Sequence, residues 1–564
     1  MTSRVRRAVG AAACAALLGL TSQAGAAPKL TLEGFSRPAA DWQRGAGLTF
    51  RRTAVAGDPA LAIGRTRGET GWSGALARPL PGGAGAAVSV DVGLSQGAEA
   101  GLFGASGSPP PLTLRASARG LIVGAGNRRV RVRTRKLHHV EATTDGGQLS
   151  VAVDGKPIDV AGRAPREFTL QLRRGRLVLD SFIASPSRDP RSLLLHRLAA
   201  LHAVTPRGRA PLGVGTDGRL RFHGGWTRGF WPGALWQAAD LTRSDVFERW
   251  ALRATLDNFG AEREDTHDLG FMYGRSSVAA YERLCRTPKG KRSGDAGTCE
   301  RLRRSALTAA DSLAALARTN EAAGTIPTRS ATPCRGCASL AEADTIVDSM
   351  MNVPLLLWAA RETPAERSAY RDVALRHASG VAQHLVRADG STAQSVHTRR
   401  DDGSVIGVHT HQGASDTGTW ARGQSWAVYG FAETALLTRS PELLAVAECA
   451  AGYIAARDPN GLVPPYDYDA GPGAPTDASA GVIAAAGLLR LEDACRRLGG
   501  CADGGRRWHE LGRRLIDSSV AQVGRQPPLG LLGGQVLSLG GSSTWDDRGE
   551  FIFGLDFALE ALRG

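Results

Sequence analysis

Apolar and polar residues alternate with a period of two through residues 28–186 of the 564-residue chain. Leu30-Thr31-Leu32-Glu33, Ala87-Val88-Ser89-Val90-Asp91-Val92 and Leu112-Thr113-Leu114-Arg115-Ala116 read this way. So do Val130-Arg131-Val132-Arg133-Thr134, Leu149-Ser150-Val151-Ala152-Val153, Phe168-Thr169-Leu170-Gln171-Leu172 and Leu177-Val178-Leu179-Asp180-Ser181-Phe182. A strand turns successive side chains to opposite faces, so this spacing buries one face of a sheet. Asp154-Gly155 supplies a tight turn into Lys156-Pro157-Ile158. Many short strands with Gly- and Pro-rich turns predict an all-β sandwich.

Near Arg188-Asp189-Pro190 the period lengthens to about 3.6. The spacing predicts helices over 192–201, 233–241, 245–259, 276–285, 305–317 and 350–361. It continues over 365–387 (one helix or a pair), 423–437, 441–456, 478–498, 506–523 and 551–562, with almost no strand signal between. Mostly apolar helices such as 480–491 alternate with amphipathic ones such as 506–520. An inner and an outer ring of helices would give that alternation, so residues 191–564 are expected to form an all-α (α/α)6 barrel. The chain reads as multidomain, a β-sandwich followed by a barrel whose long loops carry function.

Charge adds little. The formal net charge of +15 and pI near 10.0 suit an anionic partner, whether nucleic acid, acidic polysaccharide or anionic membrane. The basic residues are mainly arginines scattered among acids, and no nucleic-acid-binding motif accompanies them. Residues 1–26 read as a signal peptide: Arg4, Arg6 and Arg7, a short apolar run over 8–20, then Ala24-Gly25-Ala26. No later run is long and apolar enough to span a membrane, so the expectation is a soluble protein, secreted or periplasmic. Of eight cysteines, Cys14 lies in the leader. Cys285 with Cys299 and Cys495 with Cys501 bracket polar loops as staples would. Cys334-Arg335-Gly336-Cys337 has the spacing of a redox motif or half a zinc site, but no second pair or neighbouring His cluster is apparent, which favours a small structural disulfide. Cys449 sits in an apolar helical run and is expected to be buried.

Candidate chemistry begins at Asp344 and Asp348, four residues apart and on one face if the segment is helical. The apolar run 350–358 follows at once, so Asp348 is either a helix cap or a carboxylate held against apolar surface with a raised pKa. Three other stretches combine Trp, His, Asp and Gly: 223–236, Thr266-His267-Asp268-Leu269-Gly270-Phe271-Met272, and His409-Thr410-His411-Gln412-Gly413 with Thr419-Trp420-Ala421-Arg422-Gly423-Gln424-Ser425-Trp426-Ala427. Aromatic faces beside carboxylates and planar donors suit a sugar site.

Together these segments resemble, in order, the signatures of the unsaturated glucuronyl hydrolases, glycoside hydrolase family 88, over about residue 222 to the C-terminus. The strand-rich stretch 28–186 loosely resembles the concanavalin-like jelly-roll modules attached to polysaccharide enzymes, with a sugar-binding or a spacer role. The resemblance implies an oligosaccharide substrate made by a polysaccharide lyase and ending in a uronate with a C4–C5 double bond. Protonation at C4 and attack of water at C5 hydrate this vinyl ether; the hemiketal then opens and the glycosidic bond is lost. By the same resemblance Asp348 is the general acid and base and Asp268 the second essential carboxylate. Gln412, Arg422 and Trp426 line the uronate subsite, His397 and His411 lie nearby, and Trp231, or else Trp226, stacks under the sugar. No metal or cofactor is implied. Two departures stand out. Ala331 follows Arg329-Ser330 where the family carries Trp, and Phe553-Gly554-Leu555-Asp556-Phe557 puts Leu555 where the family has Asp. The alternatives are an unsaturated rhamnogalacturonyl hydrolase and a non-catalytic secreted binder of acidic polysaccharide, though paired carboxylates would repel an anionic ligand in a pure binder.

Overall fold

A computed structural model of the chain describes residues 31–563 apart from 34–42, 45–47, 56–57, 66–72, 80–85, 104–109, 126–127, 134–136, 146–147, 161–166, 187–189, 223, 287–293, 523–531 and 538–547. The segment 1–26 read as a signal peptide, Cys14 and His223 therefore lie outside the described residues.

Residues 31–186 form two antiparallel sheets. One runs, in spatial order, Lys156–Ile158, Gln148–Val153, His138–Asp145, Ala86–Leu94, Arg176–Pro186, Asp58–Arg65 and Leu48–Val55, with Thr31–Glu33 also paired to Arg176–Pro186. The other runs Arg128–Val132, Gly120–Ala125, Leu112–Ser117, Glu99–Leu102, Glu167–Arg174, Ser73–Pro79 and Gln43–Arg44. Val90, Val92 and Phe182 of the first sheet share a core with Leu102, Leu114 and Phe168 of the second. The turn at Asp154-Gly155 has positive φ at both residues, 50° and 75°, as a two-residue hairpin requires.

Strand His138–Asp145 escaped the alternation reading because its second face is polar yet buried. His139 stands opposite Asp91 and Glu141 opposite Ser89 in the register with Ala86–Leu94. Helix Pro190–Val204 covers that face. Its His196 sits between Ser89 Oγ at 2.7 Å and Ser185 Oγ at 2.9 Å, and Arg197 pairs with Glu141. His139 Nδ1 meets Asp91 at 2.6 Å, and Ser181 donates to the same carboxylate at 2.7 Å. The two regions therefore join through a buried, hydrogen-bonded polar layer, where losing one partner would leave another unsatisfied.

The rest is mostly helical, in pairs. Among the described residues, Phe230–Thr242, the π-helical Gly270–Val278 with Ala279–Cys285, Val353–Glu362, Ala421–Thr438, Ala478–Leu498 and Ile552–Ala561 form an inner ring. Each packs on the next, and Ile552–Ala561 returns to Phe230–Thr242. Pro190–Val204, Asp245–Asp257, Ala296–Arg318, Arg367–Leu385, Pro441–Arg457 and Arg506–Val520 alternate with them along the chain. Local chemistry sets the starts: Ser244, Ser440 and Asp477 each accept a backbone N–H of the helix they precede, with Pro441 in the first turn after Ser440.

The near absence of strands expected here is corrected. Pro211–Gly215, Leu220–Phe222, Arg548–Phe551 and Gln535–Val536 form one small sheet, and Glu342–Ile346, Ser395–Arg399 and Val405–His409 another. These strands lie between the predicted helices apart from Phe551, which begins one, and Asp344, read as one face of a possible helix with Asp348; they are too short for a period to register. The sulfurs of Cys285 and Cys299, Cys334 and Cys337, and Cys495 and Cys501 lie at bonding distance. Cys449 is half-buried rather than buried.

Candidate active site

Strand Glu342–Ile346 runs directly into the 3-10 turn Val347–Asn352 and then into helix Val353–Glu362. Asp344 lies in the strand, opposite His397 of Ser395–Arg399, whereas Asp348 lies in the turn. The two carboxylates therefore do not share a helical face. The cap reading of Asp348 is also set aside, since Ile346 occupies the cap position and no side chain caps the turn.

Asp348 is 8% exposed, and its Oδ2 is buried without a hydrogen-bond partner. Burial pushes its carboxyl up to about 6, against the pull of His267, Arg422 and its own backbone N–H, with the Asp268 charge adding to the rise. A carboxyl so placed keeps its proton up to about pH 6, well above the ordinary carboxylate range, and can donate it.

Asp268 is delivered by the loop before the π-helix. Thr266 Oγ1 donates to its Oδ2 at 3.0 Å, and His267 Nε2 lies 3.4 Å from its Oδ1. What allows this segment against that of Asp348 is Gly270: a Cβ there would stand 2.3 Å from the Asn352 Cα. Asn352 Oδ1 accepts the Phe271 N–H at 2.8 Å and locks the approach.

Gln412 donates to the Leu537 carbonyl at 3.0 Å, an oxygen that also accepts from Arg422, and accepts from Gln394 at 3.0 Å. Gln394 Oε1 in turn accepts Thr410 Oγ1 and the His411 and Gln412 amides at 2.7–2.8 Å. His411 Nε2 meets Asp344 Oδ2 at 3.1 Å, and His397, 4% exposed, has Nε2 3.7 Å from Asp344 Oδ1. The sequence offered no signal for Gln394 or for Asp344 in this role: Asp344 meets His397 only through strand pairing, and the Gln394 side chain meets Thr410, His411 and Gln412 only through the fold.

Three placements differ from expectation. Arg422 is fully buried, and its fork is already engaged: Asp477 Oδ2 at 2.9 Å, Ser479 Oγ at 3.3 Å, Leu537 O at 2.6 Å, and the Val536 carbonyl. It reaches Asp348 through its field, not as an open carboxylate clamp. Trp426 is fully buried between Phe271 and Phe557, with ring centroids at 5.2 and 5.1 Å. It is a core ring rather than a lining one. Trp231 is 5% exposed and lines a separate cavity of about 360 Å³ with His202, Trp250 and Arg253, to which neither Asp268 nor Asp348 contributes. Half-buried Trp226 instead stacks on Phe553 at 5.3 Å, and Phe553 lies 5.1 Å from the Arg422 guanidinium. The two tryptophans lie five residues apart, Trp226 at the start of the 3-10 segment Trp226–Gly229 and Trp231 in the helix that follows.

Both departures have structural counterparts. Asp265 accepts from the Ser330 amide and hydroxyl at 2.8 Å and the Ala331 amide at 2.6 Å, pinning the loop that lacks Trp. Leu555 is fully buried, and Asp556 lies 3.5 Å from Arg275.

No protein-family model matches the chain. Among curated proteins it is 34% identical over 276 residues to the unsaturated glucuronyl hydrolase of Bacillus sp. (strain GL1), a match covering 47% of this chain and 67% of that protein. It is 32% identical over 275 residues to the unsaturated chondroitin disaccharide hydrolase of Streptococcus pyogenes serotype M1, covering 47% and 63%. The matched segment thus spans about two thirds of these relatives' lengths. A solved unsaturated glucuronyl hydrolase specific for heparin aligns with a TM-score of 0.57 at 25% identity, covering 66% of this chain and 95% of that one. The crystal structure of the Bacillus sp. GL1 enzyme aligns at 0.56 and 27%, covering 65% and 93%. The chain belongs to the unsaturated glucuronyl hydrolases, which are glycoside hydrolases of family 88.

Proposed function

We propose that this chain hydrolyses unsaturated uronyl oligosaccharides released by polysaccharide lyases. The observation that carries the reading is Asp348: a buried carboxyl with an unpartnered oxygen and a pKa near 6, coupled to Asp268. The protonated Asp348 gives its proton to C4 of the vinyl ether, leaving positive charge at C5 shared with the ring oxygen. Water attacks C5 and loses its proton to the Asp348 carboxylate, which restores the acid. The hemiketal opens and the glycosidic oxygen leaves with the remaining sugar. Asp268 holds ring hydroxyls, while Gln412, His411 and His397 border the uronate. Arg422 supplies positive potential behind them, and Trp226 takes the stacking role in place of Trp231.

The same proposal assigns 1–26 to a signal peptide, 28–186 to a jelly-roll-like module and 191–564 to an (α/α)6 barrel of the glycosidase. The protein is then secreted or periplasmic, with Cys285–Cys299, Cys334–Cys337 and Cys495–Cys501 as disulfides. No helix among the described residues is long and apolar enough to cross a membrane. Mixing the protein with a panel of lyase-generated disaccharides should bleach the conjugated uronate absorbance of at least one. A panel left intact would overturn the assignment.

A further inference from the structure

The sequence shows no His cluster beside Cys334-Arg335-Gly336-Cys337, but the fold assembles one. Strand Ser395–Arg399 sets His397 opposite Asp344, and the loop after Val405–His409 returns His411 to the same carboxylate. One oxygen of Asp344 lies 3.1 Å from His411 Nε2 and the other 3.7 Å from His397 Nε2. The ligand atoms of the three residues lie within 4.8 Å of one another. Metal–nitrogen and metal–oxygen bonds of about 2.0–2.1 Å give a tetrahedron an edge of roughly 3.3 Å, close to the 3.1 Å between His411 Nε2 and Asp344 Oδ2, while the 3.7 Å from His397 runs to the other carboxylate oxygen.

A second observation points to a ligand. His397 Nε2 is buried and has no hydrogen-bond partner, an arrangement that costs free energy unless something completes it. Ser395 Oγ donates to Asp344 and fixes the carboxylate from behind, as the supporting shell of a metal ligand does. His411, with 15% of its side chain exposed, leaves a way in.

We infer that Asp344, His397 and His411 form a binding site for a divalent transition-metal ion of the zinc type. Two imidazoles and a carboxylate suit zinc or cobalt and leave a fourth position open. On binding, the ion takes the place of the hydrogen bond between His411 Nε2 and Asp344, with the neutral imidazole carrying its proton on Nδ1; no oxidation or reduction is involved. His397 and His411 also border the proposed uronate subsite, so the ion would sit at its edge; the vinyl-ether hydration above makes no use of it, and metal uptake is read without substrate. Cys334 and Cys337 also approach His397 and are the competing ligands.

The test is Co²⁺ titration of the tag-free, chelator-treated full chain, followed by d–d absorption, with Zn²⁺ competition. The expected result is one Co²⁺ per chain, displaced by Zn²⁺, with no sulfur-to-cobalt charge-transfer band. His411→Ala, on a partly exposed side chain that folding tolerates, and His397→Gln should each weaken binding at least about 100-fold. Cys334→Ser with Cys337→Ser should leave it unchanged. Absence of Co²⁺ uptake, unchanged binding in both His variants, or a charge-transfer band lost with the cysteines would overturn the site.

Discussion

Gly270 and Asn352 are in backbone contact, with no room for even a methyl group between them. This contact lets the loop carrying Asp268 lie against the turn carrying Asp348. Gly270→Ala must push the two segments apart, and overpacking of this kind costs about 1–3 kcal/mol. The expected outcome is a lower melting temperature and a loss of turnover larger than the unfolded fraction accounts for. Thermal melts and assays on the same samples check it.

Asp348 fixes the pH dependence. Its carboxyl is raised to about 6 in the folded protein from an ordinary value of 3.8, so activity that needs the acid should fall as pH rises through about 6. The same shift has a stability consequence. The folded state binds this proton more tightly than the unfolded chain, a stabilisation fully present below about pH 4 and lost as pH rises through about 6. Asp348→Asn removes the dependence, so at pH 8 the variant should be more stable than the parent by on the order of 2–3 kcal/mol, with the gap closing at pH 4. Denaturant melts at the two pH values measure it.

The buried pair of Arg422 and Asp477 is expected to be unforgiving. Both side chains are fully buried, and Asp477→Ala strands the guanidinium without its counter-charge, a change that costs about 3–5 kcal/mol. Because Arg422 holds the Asp348 carboxyl down, Arg422→Gln should move the alkaline limb of the pH profile, where Asp348 loses its proton, to higher pH in whatever fraction folds. An unmoved limb would remove Arg422 from the electrostatics of the site.

Asp556 offers a test away from the chemistry. Burial pushes it up to about 7, against the pull of Arg275, with Glu560 adding to the rise. Its stabilising proton is therefore present at low pH and lost as pH rises through about 7. Asp556→Asn should raise the melting temperature at pH 8.5, by less at pH 5, and leave it unchanged only below about pH 4.

Much of this was legible in the chain itself. The period-two and period-3.6 stretches divide it where the structure changes from sheets to helices, and Asp268 and Asp348 stand in segments specific enough to be singled out. What sequence could not show was which partner reaches a side chain first. Arg422 looks like an open fork until Asp477, which also caps the helix Ala478–Leu498, is found against it. Strand His138–Asp145 looks irregular until His139 and Glu141 are seen buried under a helix from the other region. Asp344 looks like the partner of Asp348 on a helix, and strand pairing turns it to His397 and His411 instead.

The most direct measurement of the central claim is the decay of the conjugated uronate absorbance of a lyase-generated disaccharide, for the parent chain and for Asp348→Asn side by side at pH 6. The account predicts steady bleaching by the parent and a rate at least about 10²-fold lower in the variant, with the fold intact by circular dichroism. Equal rates for the two proteins would contradict it.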